Sequence, residues 1–215
     1  MKVRRWFAPS LVAGWIAVSV LSETVAAGFA ALTVATTAAG VATAALLEGT
    51  LLGFGQQRLL RPLKLDIERG WVVATIVGAL VARVVEFAAD GSAAAMAASA
   101  WSFGAQIGAG AALGAFAGAL MALPQSVVLR GHVAGAAWWI FARALAWGVG
   151  LPLLMFAASV IAHASSAPPL VLLGIVLTVF AAIAAIVGAI EGLAMDRLLA
   201  HPPHRAGAAS ASARA

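Results

Sequence analysis

The sequence predicts an all-α membrane bundle of six spanning helices, paired as three hairpins. Three observations carry that expectation. The chain is 63% hydrophobic and 10% charged, with a mean hydropathy of +1.02, whereas soluble domains are about 25% charged. Six apolar stretches reach the ~20 residues that a helix needs to cross a bilayer. A helix-ending pattern also recurs three times at nearly constant spacing.

The spans are expected at Trp6–Val25, Thr33–Gln57, Trp71–Ala89, Phe103–Val128, Ala134–His163 and Leu170–Met195. The first two are divided only by the apolar run from Ala26 to Leu32. The start, Met1-Lys2-Val3-Arg4-Arg5 before an apolar run, also fits a cleaved signal peptide. The repeat favours keeping it as the first span. The fifth span is long enough to tilt or to pass the interface. One membrane domain is expected over 1–200, with hairpins at about 6–61, 71–130 and 134–200. The tail 201–215, Ala- and Ser-rich after His201-Pro202-Pro203-His204, is expected to be disordered.

Basic residues lie on one set of helix ends: Lys2, Arg4, Arg5, Arg58, Arg61, Lys64, Arg69, Arg130, Arg197, Arg205 and Arg214. The opposite ends carry Asp90, Gly91-Ser92 and Ala164-Ser165-Ser166. The positive-inside rule then places both termini in the cytoplasm. The formal charge of +5 is accounted for by this orientation, so no nucleic-acid partner is expected. The absence of Cys excludes disulfides and thiolate metal sites.

The repeat runs Gly49-xxx-Gly53-xx-Gln56-x-Arg58-xx-Arg61, then Gly118-xxx-Ala122-xx-Gln125-xxxx-Arg130, then Gly188-xxx-Gly192-xx-Met195-x-Arg197. The leading glycines stand 69 and 70 residues apart. The third copy puts Met195 where the others have Gln, and Ala200 where they have the last Arg. Trp6, Trp71 and Trp139 open the odd-numbered helices. Copies two crossings apart share an orientation, so the repeats are parallel. The pattern resembles a group of bacterial polytopic membrane proteins of unknown function, whose repeats read small-xxx-Gly-xx-Gln-xxxx-Arg before a loop and a Trp-led helix. The resemblance implies membrane location and hairpin repeats, and no activity.

Several residues are candidates for packing or chemistry. Gly110, Gly114 and Gly118 with Ala122, Gly49 with Gly53, and Gly188 with Gly192 each fall on one helix face, which allows close backbone approach. Tight packing is the expected use; a homodimer face or a groove for a flat lipid or pigment is the sharper one. Gln56 and Gln125 are expected to hydrogen-bond between helices, at about 0.6–2 kcal/mol each. Pro124 frees a carbonyl one turn back, for Gln125 or another helix to satisfy.

Ionisable residues inside spans carry the functional expectation, because a charge at the bilayer centre costs at least about 2.5–3.5 kcal/mol. Arg143 and Glu191 are expected to pair. Glu23, Arg83 and Glu86 form an outer-face cluster. Glu48, near the midplane with no partner on its own helix, is the candidate ion-coupling carboxylate. His132 and His163 lie about 46 Å apart along a continuous helix and cannot share a metal, and His201 and His204 are a poor metal signal. Ser102, Ser126 and Ser159 have no evident base, and no nucleophile elbow, HExxH or phosphate loop is present. No cofactor and no catalytic site are expected. Two function classes follow: a non-enzymatic structural or accessory subunit, with other membrane subunits or copies of itself as partners, or a transporter or channel for a small solute or cation.

Overall fold

A computed structural model describes residues 8–33, 37–63, 67–90, 102–163 and 168–200. The fold is all-helical: α1 (Ala8–Thr33), α2 (Ala38–Leu60) with a 3-10 turn at Arg61–Leu63, α3 (Glu68–Asp90), α4 (Phe103–Leu129), α5 (Trp138–His163) and α6 (Pro169–Leu199). All six are long and apolar enough to cross a membrane. Trp6 and the tail 201–215 lie outside the described residues.

Helix boundaries follow local chemistry. Nothing in Ala26-Ala27-Gly28-Phe29 stops α1, so it runs past the expected Val25 to Thr33. Thr37 then caps α2 by accepting from Gly40 N, and Ser102 caps α4 by accepting from Ala105 N; such hydroxyls satisfy the free N–H groups of a first turn. α5 begins at Trp138, later than the expected Ala134. Gly135 has φ +72, a left-handed conformation that glycine adopts at little cost, and its carbonyl accepts from Trp138 N. Pro169 opens α6, where its missing N–H costs nothing.

The helices close a ring in chain order. Each packs on the next, and α6 returns against α1. Small residues bring the backbones together where α2 meets α3, α4 meets α5, and α6 meets α1. A Cβ on Gly49 would fall 2.8 Å from Ile76 Cα, one on Gly118 would fall 2.9 Å from the Arg143 carbonyl carbon, and one on Gly188 would fall 2.9 Å from Ser19 Cβ. Gly53 faces Val72, Gly114 faces Trp147 and Leu151, and Gly192 faces Val12 and Trp15. Gly110 abuts the flexible Met155 side chain.

The distribution of side chains is inverted relative to a water-soluble protein. Leu21, Phe54, Val73, Phe116, Phe141, Leu145 and Leu170 point outward, while Glu23, Glu48, Gln56, Thr75, Gln125, Arg143 and Glu191 are buried. Buried polar groups and broad exposed apolar surface are the informative departures from ordinary globular packing. Here they agree with lipid around the ring and polar contacts within it.

Candidate functional site

The polar interior has two parts. The first lies towards the basic helix ends and is organised by three tryptophans. Trp15, Trp71 and Trp139, from α1, α3 and α5, are fully buried in one cluster. Their ring centroids stand 5.7, 6.0 and 6.3 Å apart. Two of the contacts are edge-on, the geometry favoured by the ring quadrupole.

A buried indole N–H needs an acceptor, and each tryptophan finds one on the preceding helix around the ring. Trp71 Nε1 donates to Gln56 Oε1 at 3.2 Å, Trp139 Nε1 to Gln125 Oε1 at 2.8 Å, and Trp15 Nε1 to Glu191 Oε2 at 3.3 Å. Four residues on, and so on the same helix face, stand Ser19, Thr75 and Arg143. Gln125 Nε2 donates to Thr75 Oγ1 at 2.8 Å. Arg143 Nη1 donates to Gln125 Oε1 at 2.9 Å, and Arg143 Nε stands 3.0 Å from Glu191 Oε1. That last contact is an ion pair outside hydrogen-bond alignment. A polar belt thus links Trp15, Glu191, Arg143, Gln125 and Thr75, across helices α1, α6, α5, α4 and α3. Between α1 and α2 the belt is open: Ser19 Oγ and Gln56 Nε2 are buried without partners.

The second part lies further from the basic ends and centres on Arg83. Its Nη2 and Nε reach Glu48 Oε2 at 2.7 and 3.0 Å. Its Nη1 reaches Glu86 Oε2 at 2.8 Å, and Nη2 stands 3.7 Å from Glu23 Oε2. The guanidinium also lies 5.9 Å from the centroid of the Trp147 ring, within cation–π range. Three carboxylates from three helices share one guanidinium. Glu48 is therefore not alone at its depth: α3 supplies the partner that its own helix lacks. Glu48 Oε1 and Trp147 Nε1 remain buried without partners, and both residues line a cavity of about 10 Å³. Glu23 lines a second cavity of about 10 Å³. Each has room for about one water molecule.

Other expected residues do local work. Ser126 Oγ donates to Leu123 O, Ser159 Oγ to Phe156 O, and His132 Nδ1 contacts Val128 O at 3.0 Å. Gln125 spends its side chain on Trp139, Thr75 and Arg143, not on the carbonyl that Pro124 frees. Among the described residues no three His, Asp or Glu side chains converge as a metal site. The side chain of His163, together with His201 and His204, lies outside them.

Sequence reading missed Trp15, Ser19, Thr75 and Trp147. The available signal was a tryptophan with a polar residue four places on: Trp15 with Ser19, Trp71 with Thr75, Trp139 with Arg143. Trp6 with Ser10 has the same spacing, so the pattern alone does not choose between Trp6 and Trp15. No family model matches the chain, and no curated protein or solved structure does either.

Proposed function

We propose that the protein is a non-catalytic structural or accessory subunit of a bacterial inner-membrane complex. In this reading three hairpin copies form the ring, with the basic helix ends and both termini in the cytoplasm. Buried polar residues serve cohesion, and the outer faces serve assembly. The supporting observation is the state of Glu48. The carboxylate is 1% exposed, bound through Oε2 to Arg83, and its free oxygen faces space for about one water. Buried charges need partners, and Glu48 has one that joins α2 to α3. The hydroxyls of Thr43, Ser159 and Thr178 on exposed faces are bound to nearby backbone, which supports the non-catalytic part of the reading.

The second reading is a transporter or channel for a small solute or cation, with Glu48 as the coupling carboxylate. It is favoured by the excess of carboxylates over guanidinium around Arg83 and by the unpartnered Glu48 Oε1. Glu48→Gln separates the two. A subunit retains folding and a stoichiometric complex in mild detergent, with no solute or proton flux in liposomes before or after the change. A purified monomer showing proton-dependent uptake that Glu48→Gln abolishes would overturn the subunit reading.

A further inference from the structure

On the outer surface of the ring, at the basic ends of α5 and α6, lies a groove of about 670 Å³. Its walls include Phe141, Leu145, Ile190 and Leu193, and its mouth carries Trp138 and Arg197. We infer that this groove binds one anionic phospholipid, with an acyl chain between the two helices and the phosphate at Arg197. The inference does not depend on the subunit reading.

Size favours a chain over a helix. A methylene takes about the ~30 Å³ that a water occupies in the liquid, so the groove has room for about twenty. A partner helix is about 10–12 Å across with its side chains, too wide to enter such a volume along its length. From Trp138 to Leu145 the wall rises about 10 Å, running from the mouth into the apolar span. Phe141 and Leu145 are 65% and 62% exposed, so the walls are open to the bilayer from the side.

Charge selects the headgroup. Among the described residues Arg197 is the one charged side chain lining the groove, and no carboxylate lines it. Asp196, next in the chain, is not part of the walls. Arg197 already has a contact within the chain, but the residue is exposed and its guanidinium carries five N–H donors, enough to meet a phosphate as well. Basic pockets between spanning helices suit anionic headgroups. Trp138, 69% exposed at the mouth, has the amphipathic ring that sits at headgroup level. In the other two hairpins the positions equivalent to Arg197 are Arg58 and Val127, counted from the leading glycines.

The test uses the full-length protein in mild detergent, with phosphatidylglycerol or phosphatidylcholine of the same acyl chains added. Native mass spectrometry counts bound lipid, and thermal unfolding reads stabilisation. Phosphatidylglycerol should bind in preference and raise Tm more. Arg197→Gln should weaken it about fivefold, the ~1 kcal/mol of one basic side chain near an anionic surface, while Arg197→Lys keeps most of the preference. Leu193→Trp, which fills the groove, should reduce binding of both lipids. Equal binding of the two lipids, a preference that survives Arg197→Gln, or binding unaffected by Leu193→Trp would each overturn the site. So would inorganic phosphate giving the same stabilisation as phosphatidylglycerol.

Discussion

Replacing Glu191 by Gln strands the Arg143 guanidinium in a site where both side chains are 1% exposed. Arg143 keeps its bond to Gln125 Oε1 but loses its counter-charge. Removing one partner of a buried pair costs about 3–5 kcal/mol, and Arg143→Met strands Glu191 to a similar degree. The double change removes both charges. The amide oxygen introduced by Glu191→Gln still accepts from the Trp15 indole, so the double variant loses two interhelical contacts, the bond to Gln125 and the Arg143–Glu191 contact, besides the approach of Arg143 to the Trp139 ring within its own helix. At about 0.6–1.7 kcal/mol for each interhelical contact, the double should cost about 1–3 kcal/mol and be more stable than either single. The assay is reversible unfolding in mixed micelles, read by tryptophan fluorescence, for the wild type and three variants. Losses that add within about 0.5 kcal/mol would show that the two groups do not sense each other.

Three further outcomes follow from the same structure. Gly118→Leu should abolish folded monodisperse protein in size-exclusion chromatography, because its Cβ meets the α5 backbone, while Gly108→Leu on the same helix should be tolerated, since nothing lies within 4 Å there. Arg83→Leu leaves three carboxylates without their guanidinium and should destabilise more than Glu48→Gln, which leaves Arg83 paired to Glu86; the reverse order of unfolding midpoints would contradict the cluster. Trp15→Phe should keep the aromatic packing and lose one hydrogen bond to Glu191, costing about 0.6–1.7 kcal/mol and changing the near-UV circular dichroism of the coupled indoles. An unchanged spectrum would mean the three rings are not in contact.

The six helices were legible because lipid demands long apolar runs and leaves little else to read. The Arg143–Glu191 contact was legible for a related reason: two opposite charges lay at matching depth on helices joined by a short connection. Glu48 was harder. Its partner lies 35 residues on, and Glu48 and Arg83 stand at similar distances from the α2–α3 turn, one counted back from Leu60 and the other forward from Glu68. Helix adjacency had to be known before that match meant anything. Trp15 was missed because Trp6 fits the spacing to the first glycine better. The stretch between α1 and α2 is far shorter than that between α3 and α4, so equal spacing along the chain does not give equal height in the bundle. The shared acceptors on Gln125 depend on side-chain rotamers that no periodicity encodes.

Ring closure is the claim on which the polar belt depends, since Trp15 meets Glu191 only if α1 returns to α6. The chain has no cysteine, so a Ser19→Cys, Gly188→Cys pair can be oxidised in membranes without background. The Cβ positions lie 2.9 Å apart, close enough for a disulfide after a small adjustment towards the usual ~3.5–4.5 Å. The pair should cross-link within one chain, whereas Ala17→Cys with Ile186→Cys, both on exposed faces, should not. Cross-linking of the second pair and not the first would contradict the ring.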